Sequence, residues 1–420
     1  MNTHKRTTHN QNKKTCRKSG RNLPKEDDVL LSNVSKTISN NSILKRVANN
    51  VEETLTPTNM KRYSVLVTHM LENKIQTIGS YSPSINKRLA SIREDSHTDI
   101  FGCGAESVLQ KTQVSNTFEI RIGRHKHGEA ICIPAVSNEA REIFMKNFKS
   151  NKKLNPNNII VPMQRHSNCW LNTMFMCFFV SDKGRKFMRF FRQLMIEGKL
   201  IDGTVIEPTN LSFAFILFNA AIEACHNNGN IKENYQLALN TNNIIMNIYN
   251  SVTLNMSGIK NIKEYGNPYM YYHDIMEYLD AGKKSIKIER YTTKIDVKDF
   301  FNNTHLREPP DVVVITLIDY KEVDRASASD FNKKPEKVKY NGAVYEIDSV
   351  ICRDKTKHHF CCGIKCNKQP YLFDGAVFSK LQRRSWTKWL NKDYDWAPHG
   401  SSYIWNFMKG YSMLFYYRIS

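Results

Sequence analysis

No Cys-x-x-Cys pair occurs among the ten cysteines of this sequence, which removes the ligand spacing of many structural zinc sites. The cysteines stand singly at Cys16, Cys103, Cys132, Cys169, Cys177, Cys225 and Cys352, with a late group at Cys361, Cys362 and Cys366. That scatter is not the dense, even framework of a small secreted domain, so reduced thiols and an intracellular location, cytoplasmic or nuclear, are expected. The N-terminus lacks an apolar leader, and apolar stretches such as Met174–Val180 and Val312–Ile318 fall far short of the roughly 20 residues that cross a bilayer. A soluble protein with no membrane contact is expected. No internal repeat is visible. Acid is scarce: 40 Asp and Glu stand against 61 Lys and Arg, a formal net charge of +21.

Part of that excess is local. Lys5, Arg6, Lys13, Lys14, Arg17, Lys18, Arg21 and Lys25 all precede the first acidic residue, Glu26. Residues 1–55, rich in Asn, Ser, Thr, Lys and Arg, cannot bury enough apolar surface to offset ordering and read as a disordered basic tail. Such a tail is solvated, or makes a nuclear-import or nucleic-acid contact.

With 40% hydrophobic residues in 420, the rest of the chain can form a sizeable core. Residues 56–150 read as a small accessory α/β module of unknown role. Val65–Val67 with Met70–Leu71 suggests a helix, Phe118–Ile122 alternates as a strand, and Ala140–Phe148 has helical spacing. Residues 151–158, with Pro156 among Asn and Lys, read as a linker. Residues 159–420 then begin with an apolar helix over Cys169–Phe179 and a long helical middle from Lys186 to Asp280. Strands follow at Asp311–Ile318, Ala343–Ile351, His359–Lys365, Tyr371–Asp374 and Tyr411–Arg418. A helical lobe followed by a sheet lobe is an α+β plan.

Two segments of this region carry chemistry. Cys169 immediately precedes an apolar helical run, and the start of a helix offers free backbone N–H groups and the positive end of its dipole to a thiolate. Gln164, just upstream, brings an amide within reach of an oxyanion formed there. By itself this pattern also fits a buried structural thiol. In the second segment, His359 opens one strand and Asp374 closes what reads as the next. A hairpin between them sets an imidazole beside a carboxylate that holds its tautomer, leaving the other ring nitrogen for the thiol.

These segments resemble the ubiquitin-specific proteases, across about Ile159 to the C-terminus. Gln164 to Phe179 is similar to the family's Cys box, with Cys169 at the nucleophile, Trp170 at the usual Tyr in a substrate-binding role, Asn172 at the usual Asn and Gln164 at the oxyanion amide. His166 stands where the family has Gly. Tyr272 to Leu279 is similar to its acidic helix, which implies a substrate-binding role for Asp274 and Glu277. Asp311 to Leu317 and Tyr345 to Ile351 resemble later strands of the family. The segment from His358 to Asp374 resembles the His box, with His359 as base, Asp374 as orienting acid and His358 at a usual Gly beside the substrate. Gly410 to Arg418 looks like the closing strand.

The resemblance implies a papain-like cysteine protease, with a helical thumb lobe and an antiparallel β palm lobe. It would act on ubiquitin or a ubiquitin-like protein and its conjugates, with no cofactor. Spacing independently places Asp274 and Glu277 on one helix face, where they can present paired acceptors to a guanidinium. The family's β-rich fingers insertion has no room between Asp280 and Asp311.

Two rival readings use the same residues. His358, His359, Cys361, Cys362 and Cys366 include potential zinc ligands, but strand alternation turns Cys362 away from His359 and Cys361. A non-catalytic ubiquitin-binding protein, or a basic nucleic-acid scaffold, is the alternative from another class. Retention of Cys169, His359 and Asp374 together argues against the first, and the second rests on charge alone.

Overall fold

The computed structural model describes residues 97–110, 117–150, 154–226, 239–252, 256–282, 288–293, 301, 309–317, 334–340, 342–354, 358–408 and 410–420. The basic tail expected over 1–55 and the helix expected near Val65–Leu71 lie outside the described residues.

Helix α1 (Ala105–Gln110) precedes a two-stranded antiparallel ribbon, β1 (Glu119–Arg124) and β2 (Ala130–Pro134), followed by helix α2 (Asn138–Lys149). The Ser137 hydroxyl caps α2 by accepting from Ala140 N, the usual use of Ser before a helix. This portion packs on the helices that follow. Arg141 of α2 donates to the Ile196 carbonyl (2.6 Å) and to Ser212 Oγ (2.8 Å), and the Arg189 and Arg192 guanidinium groups lie over the Phe148 ring. Phe144, Phe148 and Leu109 join one apolar core with the later helices.

Cys103 and Cys132 form a disulfide, which corrects the expectation that the thiols are reduced. Arg121 N bonds the Ile100 carbonyl while Arg121 itself sits opposite Cys132, so pairing along β1 carries two sequence-distant cysteines together. Single-residue spacing gives no sign of such a match. The seven other cysteines described are free and buried.

The helical portion comprises α3 (Cys169–Phe179), α4 (Asp182–Phe187), α5 (Arg189–Glu197), α6 (Thr209–Cys225), α7 (Asn242–Ser251) and α8 (Pro268–Leu279). Every side chain of α3 is buried, as its unbroken apolar sequence dictates. Inside this portion Arg192 pairs with Glu223 at 3.1 Å, and His97 reaches the other carboxylate oxygen at 3.1 Å. This buried charge pair is completed by Asn219, which accepts from Arg192 Nε. Among the described residues no helix is long and apolar enough to cross a membrane.

An eight-stranded sheet follows. Its strands are β3 (Ile288–Thr293), β4 (Val312–Leu317), β5 (Lys337–Tyr340), β6 (Ala343–Arg353), β7 (Phe360–Cys366), β8 (Gln369–Phe373), β9 (Gln382–Arg383) and β10 (Ser412–Arg418). They run in the order β3-β4-β10-β6-β7-β8-β9, with β5 on β6. The fold is thus mixed helix and sheet.

The sheet is antiparallel, as expected of the β palm, except that β3 lies parallel to β4. Parallel neighbours cannot be joined by the tight hairpin that serves antiparallel ones, and β3 ends at Thr293 while β4 starts only at Val312. Alternation divides the sheet's side chains between two cores. Cys362, Ile364, Phe373 and Phe415 pack against the helices, whereas Cys361, Leu372, Leu414 and Tyr416 meet Trp386, Trp396 and Trp405 on the far face.

Candidate active site

Helix α3 lies across β7, so its N-terminus arrives where the sheet's His359 and Asp374 emerge. The hairpin is as expected: β7 pairs with β8 through Cys362 opposite Phe373. One step further along this register Asp374 falls opposite Cys361, and His359 is two residues beyond on the same face. A diagonal pair of this kind is within reach of an imidazole and a carboxylate. His359 Nε2 donates to Asp374 Oδ1 at 2.7 Å, with both side chains buried. Ala376 N donates to the same oxygen at 2.9 Å and fixes the carboxylate.

That bond leaves Nδ1 as the ring nitrogen without a hydrogen-bond partner among the described residues. The thiol of Cys169 is near enough to this ring to raise its basicity. Its Sγ lies 4.0 Å from the His358 carbonyl. Burial by itself lowers the basicity of His359, but the hydrogen bond it donates to Asp374, the adjacent Cys169 and the charges of both outweigh it and raise the imidazole to about 9. The ring is therefore mainly protonated at neutral pH.

Asn168, at the cap position of α3, makes no side-chain bond to the helix start. Its amide instead accepts from Arg165 N (3.1 Å) and donates to Thr241 Oγ1 (3.1 Å) and Asn242 Oδ1 (2.8 Å). Thr241 in turn donates to Asn172 Oδ1. The side chain best placed to cap α3 is thus engaged elsewhere, and the first backbone N–H groups of the helix stay available to an anion. The start of α7, where Thr241 and Asn242 lie, is tied to α1, whose Leu109 carbonyl accepts from Asn240 N at 2.8 Å.

Gln164 is at the mouth of this site. Its backbone N donates to the Gly375 carbonyl at 2.8 Å, while its Nε2 makes a long 3.4 Å bond to the His166 carbonyl. Oε1 is buried and has no hydrogen-bond partner among the described residues. His166 has φ of 64°, a left-handed backbone that glycine adopts without steric cost.

The residues expected to face substrate divide. His358 is exposed, and its ring lies 6.1 Å from that of Tyr265, which is 77% exposed. Trp170 does not face outward: it is buried against Tyr271, and a Cβ added to Gly266 would fall 2.4 Å from its ring. Asp274 and Glu277 share α8, but they do not present two equivalent acceptors. Asp274 Oδ2 accepts from Gly258 N at 2.7 Å and its side chain is only 11% exposed, whereas Glu277 is 62% exposed. The reason is the loop preceding α8, which folds back and takes one carboxylate as its anchor.

His273, Asp274 and Glu277 bring three potential ligand atoms within 4.8 Å of one another, an arrangement common on helix faces without an ion. Cys361 and Cys362 point into separate cores, as strand alternation requires.

The residues that surround His359 carry no motif in the sequence. Tyr403 stacks on the imidazole with ring centroids 4.0 Å apart and an interplanar angle of 26°, and Trp405 lies 5.9 Å away. Asp354 N donates to the His359 carbonyl at 2.8 Å, and the Asp354 carboxylate accepts from Ile404 N. Richness in Tyr and Trp around 396–405 was the only trace of this cover in the sequence.

No protein-family model and no curated protein matches the sequence. Solved structures to which the chain is similar include the SAGA Ubp8/Sgf11/Sus1/Sgf73 DUB module bound to ubiquitin aldehyde. It is 11% identical, with a TM-score of 0.40 over 63% of this chain and 70% of that one. The yeast SAGA DUB module with a substituted Sgf73 is 11% identical, with a TM-score of 0.36 over 63% and 69%. An essential yeast splicing factor is 7% identical, with a TM-score of 0.40 over 72% and 83%. These are distant likenesses and transfer no activity to this chain.

Proposed function

We propose that the chain is a thiol-dependent deubiquitinase of papain-like plan, with residues 159–420 as its catalytic domain. It hydrolyses the isopeptide or peptide bond after the C-terminal glycine of ubiquitin or a ubiquitin-like protein. The observation that carries the chemistry is the buried His359–Asp374 bond beside Cys169 at the uncapped start of α3. The substrate class rests on the sequence boxes and their order.

In this reading the Cys169 thiolate attacks the scissile carbonyl and His359 holds the proton. The Cys169 backbone N–H, with the Gln164 amide, receives the charge that develops on the carbonyl oxygen. His359 then protonates the departing amine, and the resulting thioester is released by a water from which His359 withdraws a proton. Asp374 keeps the ring oriented throughout. His358 and Tyr265 flank the approach, and Glu277 is the acidic group left to meet a basic tail.

The test is turnover of ubiquitin carrying a fluorogenic C-terminal amide. Cys169→Ala is expected to abolish turnover while still binding ubiquitin, and Asp374→Asn to cost less than His359→Ala. Persisting cleavage by Cys169→Ala assigns the nucleophile elsewhere and overturns the reading.

A further inference from the structure

A ring held by one hydrogen bond at one edge can still tilt about that bond. His359 is held that way by Asp374, and its tilt decides whether the free nitrogen meets the thiol. The Tyr403 ring, nearly parallel at 4.0 Å, closes one face of the imidazole, with Trp405 at its side. We propose that Tyr403 is a positioning residue, a lid that holds His359 flat between Cys169 and Asp374 and stabilises its cationic form through its π face, with Asp354 as the clip that keeps the lid in place. The proposal rests on the reading of Cys169 and His359 as a catalytic pair.

The lid belongs to a braced loop. Tyr403 N donates to Ser401 Oγ at 3.0 Å. Trp405 exchanges backbone bonds of 2.9 and 2.8 Å with Trp396. Asn406 Nδ2 donates to Asp393 and Asp395, each at 2.8 Å. Lys334 Nζ, buried, donates to the Phe407 and Met408 carbonyls at 2.8 and 2.9 Å. Asp354 then joins this loop to the histidine itself, because its N–H holds the His359 carbonyl while its carboxylate holds Ile404 N. A shift of the loop is thereby a shift of the imidazole's cover.

The charged and titratable groups about the ring come from four elements. They are Asp374 after β8, Cys169 at the start of α3, Asp354 after β6, and Tyr403 from the loop. Burial, and then Asp374, Cys169 and Asp354, raise the Tyr403 hydroxyl above its ordinary value. It therefore stays neutral while His359 is charged. A neutral aromatic face over an imidazolium is attractive in the manner of a cation–π contact.

The experiment is alkylation of Cys169 in the full chain by iodoacetamide at pH 6, read by peptide mass spectrometry. All seven free cysteines described, Cys169 included, are buried, so the peptide map is read at Cys169 alone and each variant is compared with the parent at that residue. No ubiquitin enters this assay, so its result is independent of whether the parent protein hydrolyses a ubiquitin amide. Tyr403→Phe keeps the π face and is expected to react within about twofold of the parent. Tyr403→Leu keeps the apolar cover without that face and is expected to react about threefold to tenfold more slowly, the range of a partly desolvated cation–π contact.

Asp354→Leu, which releases Ile404, is expected to slow alkylation to the same degree, and Asp354→Asn, which can still accept from Ile404 N, to restore it. A Tyr403→Leu or Asp354→Leu protein that is folded by its melting curve and reacts like the parent overturns the proposal. So does a Tyr403→Phe protein as slow as Tyr403→Leu. If the alkylation differences hold while no variant or parent cleaves ubiquitin, the lid stands and the deubiquitinase reading falls.

Discussion

The backbone N–H of Gln164 donates to the carbonyl of Gly375 at 2.8 Å, which ties the loop before the Cys169 helix to the turn just after Asp374. Cys169 and Asp374 lie far apart in the sequence, so this bond fixes a distance that neither the helix nor the hairpin fixes alone. The two strands of chain pass so closely that a Cβ on Gly375 would lie 3.0 Å from the Pro162 carbonyl oxygen and 3.2 Å from Gln164 N.

Gly375→Ala is therefore expected to push the two loops apart by a few tenths of an ångström. Small misplacements at a reacting centre cost rate more than stability, so an approximately tenfold fall in kcat/KM is expected, with a melting temperature near the parent's. Unchanged kinetics would mean that the loops can move apart without disturbing Cys169.

The raised His359 makes stability depend on pH. Its folded value of about 9 lies above the 6.5 of an ordinary histidine, so the folded state binds its proton more tightly. That contribution is complete below about pH 6.5 and is lost as pH rises through 9. Urea unfolding is expected to show a decline in free energy over this window, with a slope of up to about 1.4 kcal/mol per pH unit from this group. His359→Gln should flatten it; an identical slope in that variant would place the linked proton elsewhere.

His166 carries a left-handed backbone, with φ of 64°, at an exposed position. A side chain in that conformation costs about 1–2 kcal/mol, partly offset by the greater freedom glycine loses on folding. His166→Gly is thus expected to raise stability by up to about 1 kcal/mol, where a glycine substituted elsewhere on the surface lowers it. Equilibrium denaturation measures the sign directly.

Gly266 is a packing glycine, needed because the Trp170 ring lies flat against it. Gly266→Ala is expected to destabilise by roughly 1–3 kcal/mol, the usual range for overpacking a filled site. Thermal melting provides the check. A melt like the parent's would mean that Trp170 has room to shift, and that its burial is not the tight packing described.

How far the sequence reached can be judged element by element. The Cys169–Phe179 helix was legible because its apolar character is unbroken, and the β7–β8 hairpin because two apolar runs flank a short polar turn. Strand β3 was not: Ile288–Thr293 has little apolar content, and its parallel partner lies across a long connection. The division between Asp274 and Glu277 was equally hidden, since it depends on a loop returning to Gly258. Local pattern fixes which face a residue shares, whereas tertiary contact decides whether its polar atoms are already engaged. The same holds for Tyr403 over His359 and for Cys103 with Cys132, where chain segments distant in sequence meet only once the strands have paired.

The most direct measurement is peptide mapping of the protein after incubation with ubiquitin bearing a C-terminal vinyl electrophile. A covalent adduct on Cys169, lost in His359→Ala and retained in the parent, is the result expected of the proposed site. An adduct on a different cysteine, or a Cys169 that iodoacetamide modifies but the ubiquitin electrophile leaves untouched, would contradict it.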